Sequence, residues 1–178
     1  MANFQSTDDV FDLLTKTLGR LCKEVTGRKI VLDDDETIPK VEEEFILVSQ
    51  TSADQLDWND NEGADDTGQA MVSHNYEVTY TLTAYRGQAF SALTKVMQGI
   101  NLPRIYEKYF PTPCAFAYQS ASTISRLRVP LNMQKFENRA VVLITFNVSF
   151  LAVDTGAFEV IDTINMEMVY NFPDPTQP

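Results

Sequence analysis

Histidine is almost missing from this chain: His74 stands alone among 178 residues. A nucleophile–His pair or a His-based metal centre would have to rest on that one ring, at the mouth of a strand. No Gly-x-Ser-x-Gly turn accompanies it, so His74 reads as a strand-end residue. Cysteine is nearly as scarce. Cys22 and Cys114 both fall on apolar-patterned positions, which predicts two buried, reduced thiols of a cytosolic protein rather than a disulfide. The 7 glycines are scattered, and none of them builds a phosphate-cradling loop. Bases are few: 14 Lys and Arg face 25 Asp and Glu, and a formal charge of −11 argues against tight phosphate binding. Long apolar runs are lacking too. The most apolar stretch, Ala140 to Val153, is broken by Thr145, Asn147 and Ser149 and is shorter than the ~20 residues of a spanning helix. Met1 to Asp9 has neither the basic start nor the apolar run of a leader, so a soluble, cytoplasmic protein is expected.

What is present is clear patterning. Between Ser73 and Arg86 apolar and polar side chains alternate: Tyr76, Val78, Tyr80, Leu82 and Ala84 point one way, Glu77, Thr79, Thr81, Thr83 and Tyr85 the other. A period of two marks a half-buried strand. At Arg86-Gly87 the period changes, and Ala89, Phe90, Leu93, Val96, Met97 and Ile100 recur at helical spacing. That helix can fold back over the strand it has just left. A first helix starts near Ser6-Thr7-Asp8-Asp9, carries the stripe Val10, Phe11, Leu14, Leu18, Leu21, Cys22 and Val25, and stops at Gly27.

Short strands are predicted at Lys29 to Leu32 and Glu44 to Ser49. Arg104 to Phe110 suits one further helical turn, and Cys114–Tyr118 and Arg126 to Pro130 look extended. From Phe136 to Val153 the alternation returns, followed by the turn Asp154-Thr155-Gly156 and a returning strand from Ala157 to Val169. Together these make a long β-hairpin. One domain over residues 1–170 is expected, with a mobile or partner-ordered acidic loop at 50–71. Residues 171–178 form an extended tail carrying Pro173, Pro175 and Pro178.

The charge is uneven. Residues 33–66 hold 13 of the 25 acids and the single base Lys40. Within them, Asp57-x-Asn59-x-Asn61-x-Gly63 partly resembles a calcium loop. An EF-hand needs glycine sixth and glutamate twelfth, and here those places hold Glu62 and Gly68. The runs Asp33 to Glu36 and Glu42 to Glu44 read as solvated faces, since a catalytic carboxyl usually needs burial to shift its pKa. Arg126, Arg128, Lys135 and Arg139 form the one local basic cluster. An acidic and a basic segment on opposite flanks would let copies associate head to tail and close into rings. Neutralisation within one chain is the alternative.

The N-terminal helix, the strand running into Thr83-Ala84-Tyr85-Arg86-Gly87-Gln88-Ala89 and its helix, and the hairpin around Val153-Asp154-Thr155-Gly156 resemble the tail-terminator (neck-terminator) proteins of long-tailed bacteriophages. Tyr85-Arg86 and Phe158-Glu159-Val160-Ile161 are the most similar stretches. The resemblance implies an α+β fold, a mixed or antiparallel sheet with helices packed on one face. It also implies a non-enzymatic virion protein at the tail–neck junction, assembled in the host cytoplasm and without a cofactor. Such a protein forms a hexameric ring that caps the tail tube, ends its polymerisation and joins tail to neck. DNA passes through the channel without being specifically bound. The partners would be copies of itself, the tail tube protein, a neck or connector protein and, in a contractile tail, the sheath; no membrane is involved.

The rival readings are another neck or head–tail completion protein, a tail-tube-like subunit, or, from a different class, a small acidic hydrolase or metal-dependent enzyme using the Asp54–Asp66 cluster. Aromatic and arginine side chains make favoured interface anchors, which selects Trp58, Tyr85, Arg86, Arg126 and Arg128 as candidate contacts. The acids Asp54, Asp57, Asp60, Glu62, Asp65 and Asp66 are candidates for a lumen-facing or partner-facing loop.

Overall fold

Two long strands form the spine. The computed structural model describes residues 2–4, 7–33, 42–56, 60–62, 70–112, 114–132 and 135–154. Within these, β5 (Ala70–Tyr85) pairs antiparallel with β8 (Lys135–Asp154) over β5's whole length, from Ala70↔Asp154 to Tyr85↔Arg139, without a break in register. At about 3.3 Å per residue β5 runs roughly 50 Å. Its predicted inward set is the observed one: Val78, Tyr80, Leu82 and Ala84 are fully buried, with Tyr76 half-buried. They lie beside Ala140, Val142, Ile144, Phe146, Val148 and Phe150 of β8, at most 4% exposed.

The outer edge of β5 carries β3 (Phe45–Gln55) and β4 (Asp60–Glu62), and β2 (Lys29–Leu32) pairs parallel with β3. The outer edge of β8 is shared in succession by β7 (Ser125–Asn132), β6 (Phe116–Ala121) and β1 (Ala2–Phe4). Among the described residues the result is a mixed eight-stranded sheet in an α+β fold.

All three helices pack on one face. The stripe of α1 (Thr7–Thr26) buries Leu14, Leu18, Leu21 and Cys22 completely, and α2 (Ala89–Ile100) adds Leu93, Val96 and Ile100. Burial pushes the Cys22 thiol up to about 12, so it stays protonated. The helices approach closely at Gly99, where a Cβ would stand 2.8 Å from Val25 Cγ2. The short α3 (Pro103–Tyr109) closes the corner, with Phe110 meeting Phe116 edge-on and Phe146 at a tilt. One polar group enters this apolar layer with its partners. The Tyr80 hydroxyl meets Thr15 Oγ1 at 3.0 Å and donates to the Phe11 carbonyl at 3.2 Å.

Three expectations change. Gln50–Gln55 belong to β3, Asp60–Glu62 form β4, and Ala70 and Met71 already belong to β5, so strand occupies much of the segment read as a loop. The reason is that β5 offers a ladder partner to this stretch, while Gln50, Thr51 and Ala53 to Gln55 of β3 are exposed, so no apolar alternation marks it. Cys114 is exposed, just before β6, because the chain bends there at the rim of a groove. And β1, for which the sequence carries no signal, completes the far end of β8. The returning strand 157–169 and the tail 171–178 lie outside the described residues.

Candidate functional site

The switch from β5 to α2 needs a reversal within two residues, and it is made in the left-handed region: Arg86 has φ 64° and Gly87 φ 48°. Arginine rarely adopts that conformation, and here several contacts hold it. The Arg86 amide donates to the Asn138 carbonyl at 2.8 Å. Its guanidinium reaches Glu137 Oε1 at 3.3 Å through Nε and the Glu42 carbonyl through Nη1. From below, Arg28 Nη1 donates to the carbonyls of Tyr85 (3.1 Å) and Arg86 (3.4 Å), while Arg28 Nη2 pairs with Glu44 at 2.6 Å. Gly87 is required by its φ, and a Cβ there would in addition displace the Glu44 carboxylate from its place beside Arg28.

The strand register gathers the basic cluster beside this turn. Leu127 of β7 lies opposite Arg139, and Arg139 lies opposite Tyr85. Glu137, only 8% exposed, accepts from Arg139 through Nε (2.7 Å) and Nη2 (2.6 Å) as well as from Arg86. Arg139 also lies 4.8 Å over the Tyr85 ring, which stacks on Phe45 at 4.4 Å. On the helix-covered side Arg126 stacks over Phe90 at 4.4 Å. A cleft of about 320 Å³ opens here, lined by Gln88, Phe90, Arg126, Arg128, Asn138 and Arg139.

Four of the candidate contacts named from sequence, Tyr85, Arg86, Arg126 and Arg128, therefore stand together at one end of the sheet. Three of them are engaged inside the chain: Tyr85 in its stack, Arg86 with Glu137 and Glu42, and Arg126 over the Phe90 ring. Arg126 and Arg128 are exposed and form no ion pair among the described residues. Sequence reasoning missed Glu137 and Arg28, the two groups that organise the turn. Only the isolated acid among Lys135, Arg139 and their neighbours hinted at the first.

The acidic candidates lie at the other end. Asp54 is exposed and sits directly opposite Glu77 in the β3–β5 ladder. Like charges so placed are destabilising. Asp60 and Glu62 occupy alternate positions of β4, facing Ser73 and Met71 of β5 in register. Trp58, Asp57, Asp65 and Asp66 lie outside the described residues. Glu42, Glu43 and Glu44 lie at the arginine end, where the Glu44 charge is paired with Arg28 within the chain.

His74 is half-buried in β5, its Nδ1 3.5 Å from Gln55 Nε2. Among the described residues no three His, Cys, Asp or Glu side chains are grouped to hold a metal ion, and no helix is long and apolar enough to cross a membrane. A family model described as phage neck terminator protein matches residues 12–174 of this chain. No curated protein matches it.

Proposed function

Because the chain belongs to the phage neck terminator family, a structural protein family of the virion, we propose that it works as a ring of identical copies, six in number. The ring caps the finished tail tube, ends its polymerisation and joins tail to neck. The match over 12–174 carries this reading, since it spans nearly the whole chain. The physics of the sheet supports it. A spine some 50 Å long, braced on one face by helices, is stiff enough to serve as a plug of fixed outline.

The partners are the tail tube protein on one side and a neck or connector protein on the other, with a sheath added where the tail contracts. At −11 per copy the ring repels phosphate, so DNA slides through its channel instead of adhering. Assembly takes place in the host cytoplasm, and no bond is made or broken.

Deleting the gene from a phage that encodes it tests the proposal by electron microscopy. Tails of uncontrolled length are expected. Tails of normal length left unattached to heads would overturn tube termination and favour a neck-completion role instead.

A further inference from the structure

The inner edge of β7 pairs with β8, and no described strand covers its outer edge. The two faces of this strand differ. Arg126 and Arg128 lie in register with Ala140 and Asn138, on the helix-covered side, where Arg126 rests on the Phe90 ring. Leu127, 46% exposed, and the half-buried Val129 lie in register with Arg139 and Glu137, on the side without helices. Stacking occupies the flat of the Arg126 guanidinium and leaves its N–H edge for a carboxylate. Among the described residues no acid lines the cleft beside it, and the first turn of α2, which borders that cleft, carries none either. The amino end of a helix favours negative charge.

We infer that the outer edge of β7 accepts residues 157–169 of a neighbouring copy as a further strand, and that this exchange links one copy to the next. The inference rests on the ring reading and adds the contact to it.

Three observations carry it. The first is that β8 has no edge left for the chain that follows it. β5 lines one side of β8 from Arg139 to Asp154, while β7, β6 and β1 share the other. An open edge such as that of β7 presents unpaired amides and carbonyls, which an extended segment satisfies. The second is the alternation of 157–169, broken at Ile161-Asp162: Phe158, Val160 and Ile164 fall on one side, Glu159, Thr163 and Glu167 on the other. Residues directly opposite in a ladder share a face. A strand added to β7 with its apolar set beside Leu127 and Val129 therefore brings its glutamates to the side of Arg126 and Arg128. Residues 155–178 carry Glu159, Asp162, Glu167 and Asp174 and no base, so these segments repel one another and are drawn to that edge. The third is reach. Ser125 pairs with Val141, so Asp154 stands thirteen residues farther along β8, about 43 Å at 3.3 Å per residue. An extended chain leaving Asp154 uses residues 155–167 to cover that distance. Glu159 of the same copy falls short of Arg126, and the occupant comes from a neighbour. Donor and acceptor surfaces differ, so the contact is head to tail and closes into a ring when the rotation permits.

Charge reversal in the full chain tests this, read as mass in solution by light scattering. Arg126→Glu with Arg128→Glu, and separately Glu159→Lys with Glu167→Lys, should each raise the dissociation constant of the ring roughly 10-fold or more. The chain carrying all four changes should regain ring mass. A mixture of the two double variants should regain it too, because each supplies the segment that the other's edge attracts. Recovery in the mixture also shows that both variants fold. Recovery with all four changes but not in the mixture places the segment on its own copy and overturns the exchange. Recovery in neither, with folded variants, overturns the contact. Where a reversal unfolds the chain, Leu127→Cys is combined in turn with Phe158→Cys, Val160→Cys or Ile164→Cys in a Cys114→Ser background. Oxidation of one of these pairs should then give covalent multimers, and none from all three overturns the contact. A ring that survives both reversals overturns the contact and leaves the ring standing. A wild-type chain that is monomeric both alone and on purified tails overturns the ring itself.

Discussion

The two ends of the sheet use charge in opposite ways. At the Tyr85 end the charged groups are cross-braced: Arg28 with Glu44, and Arg86 and Arg139 with the one carboxylate of Glu137, beside the Phe45–Tyr85 stack. At the Ala70 end Asp54 faces Glu77, and Asp60 and Glu62 follow with no base among their ladder partners. A chain that fixes a strained turn with ions at one end and leaves like charges opposed at the other has separated two tasks. One end holds the strand-to-helix junction; the other sets Asp54 against Glu77 with no such brace among the described residues.

The sharpest way to break this comparison is at Glu137. Its carboxylate is buried and shared by two guanidiniums, so Glu137→Ala leaves both without their acid and frees the Arg86 turn. A loss of about 2 kcal/mol is expected, the arginines being reached by water and so partly compensated. A urea midpoint that falls while the slope stays constant would confirm it. An unchanged midpoint would mean that the turn is held by Arg28 and Gly87 alone.

The second change should have the opposite sign. Glu77→Gln removes one of two like charges in the β3–β5 ladder, and the monomer should gain about 0.5 kcal/mol. The gain should shrink in high salt, since both groups are open to water. Destabilisation on removing Glu77 would show that the Ala70 end is braced too, and the contrast between the ends would disappear.

Much of this was readable from residues, and the exceptions have physical causes. The inward set of β5, the helix after Gly87 and the stripe of α1 announced themselves because each buries a single face, and burial imposes a period. The distal half of β3 buries neither face. Its strand character, like that of β4, comes from pairing with β5, which leaves no trace in composition. The charge pattern misled in a similar way. Residues 33–66 read as one acidic block, yet Glu42 to Glu44 return to the arginine end while Asp54, Asp60 and Glu62 go to the other. Proximity along the chain could not show that split. The site was half legible: Arg126 and Arg128 stood out by type, whereas Glu137 and Arg28 matter through cross-strand partners 51 and 57 residues away.

The smallest effect sharpens the comparison with an acid that belongs to neither end. Glu24, on the last turns of α1, accepts from Lys108 at 2.5 Å and from the Tyr109 hydroxyl, tying α1 to α3. The hydrogen bond from Lys108, then that from Tyr109, holds its carboxyl below the usual 4.5. Its pKa is depressed by folding, so its contribution is complete above the unfolded value and disappears as pH falls through the folded one. Lys108 is raised, chiefly by the hydrogen bond to Glu24, and its share is lost only at the alkaline extreme, as pH climbs through its folded value. The melting temperature of the wild type should therefore exceed that of Glu24→Gln slightly at neutral pH, and the two should converge once the pH is well below 4.5. A difference that persisted unchanged in acid would mean that Glu24 ties α1 to α3 without its charge, and that the clasp rests on packing alone.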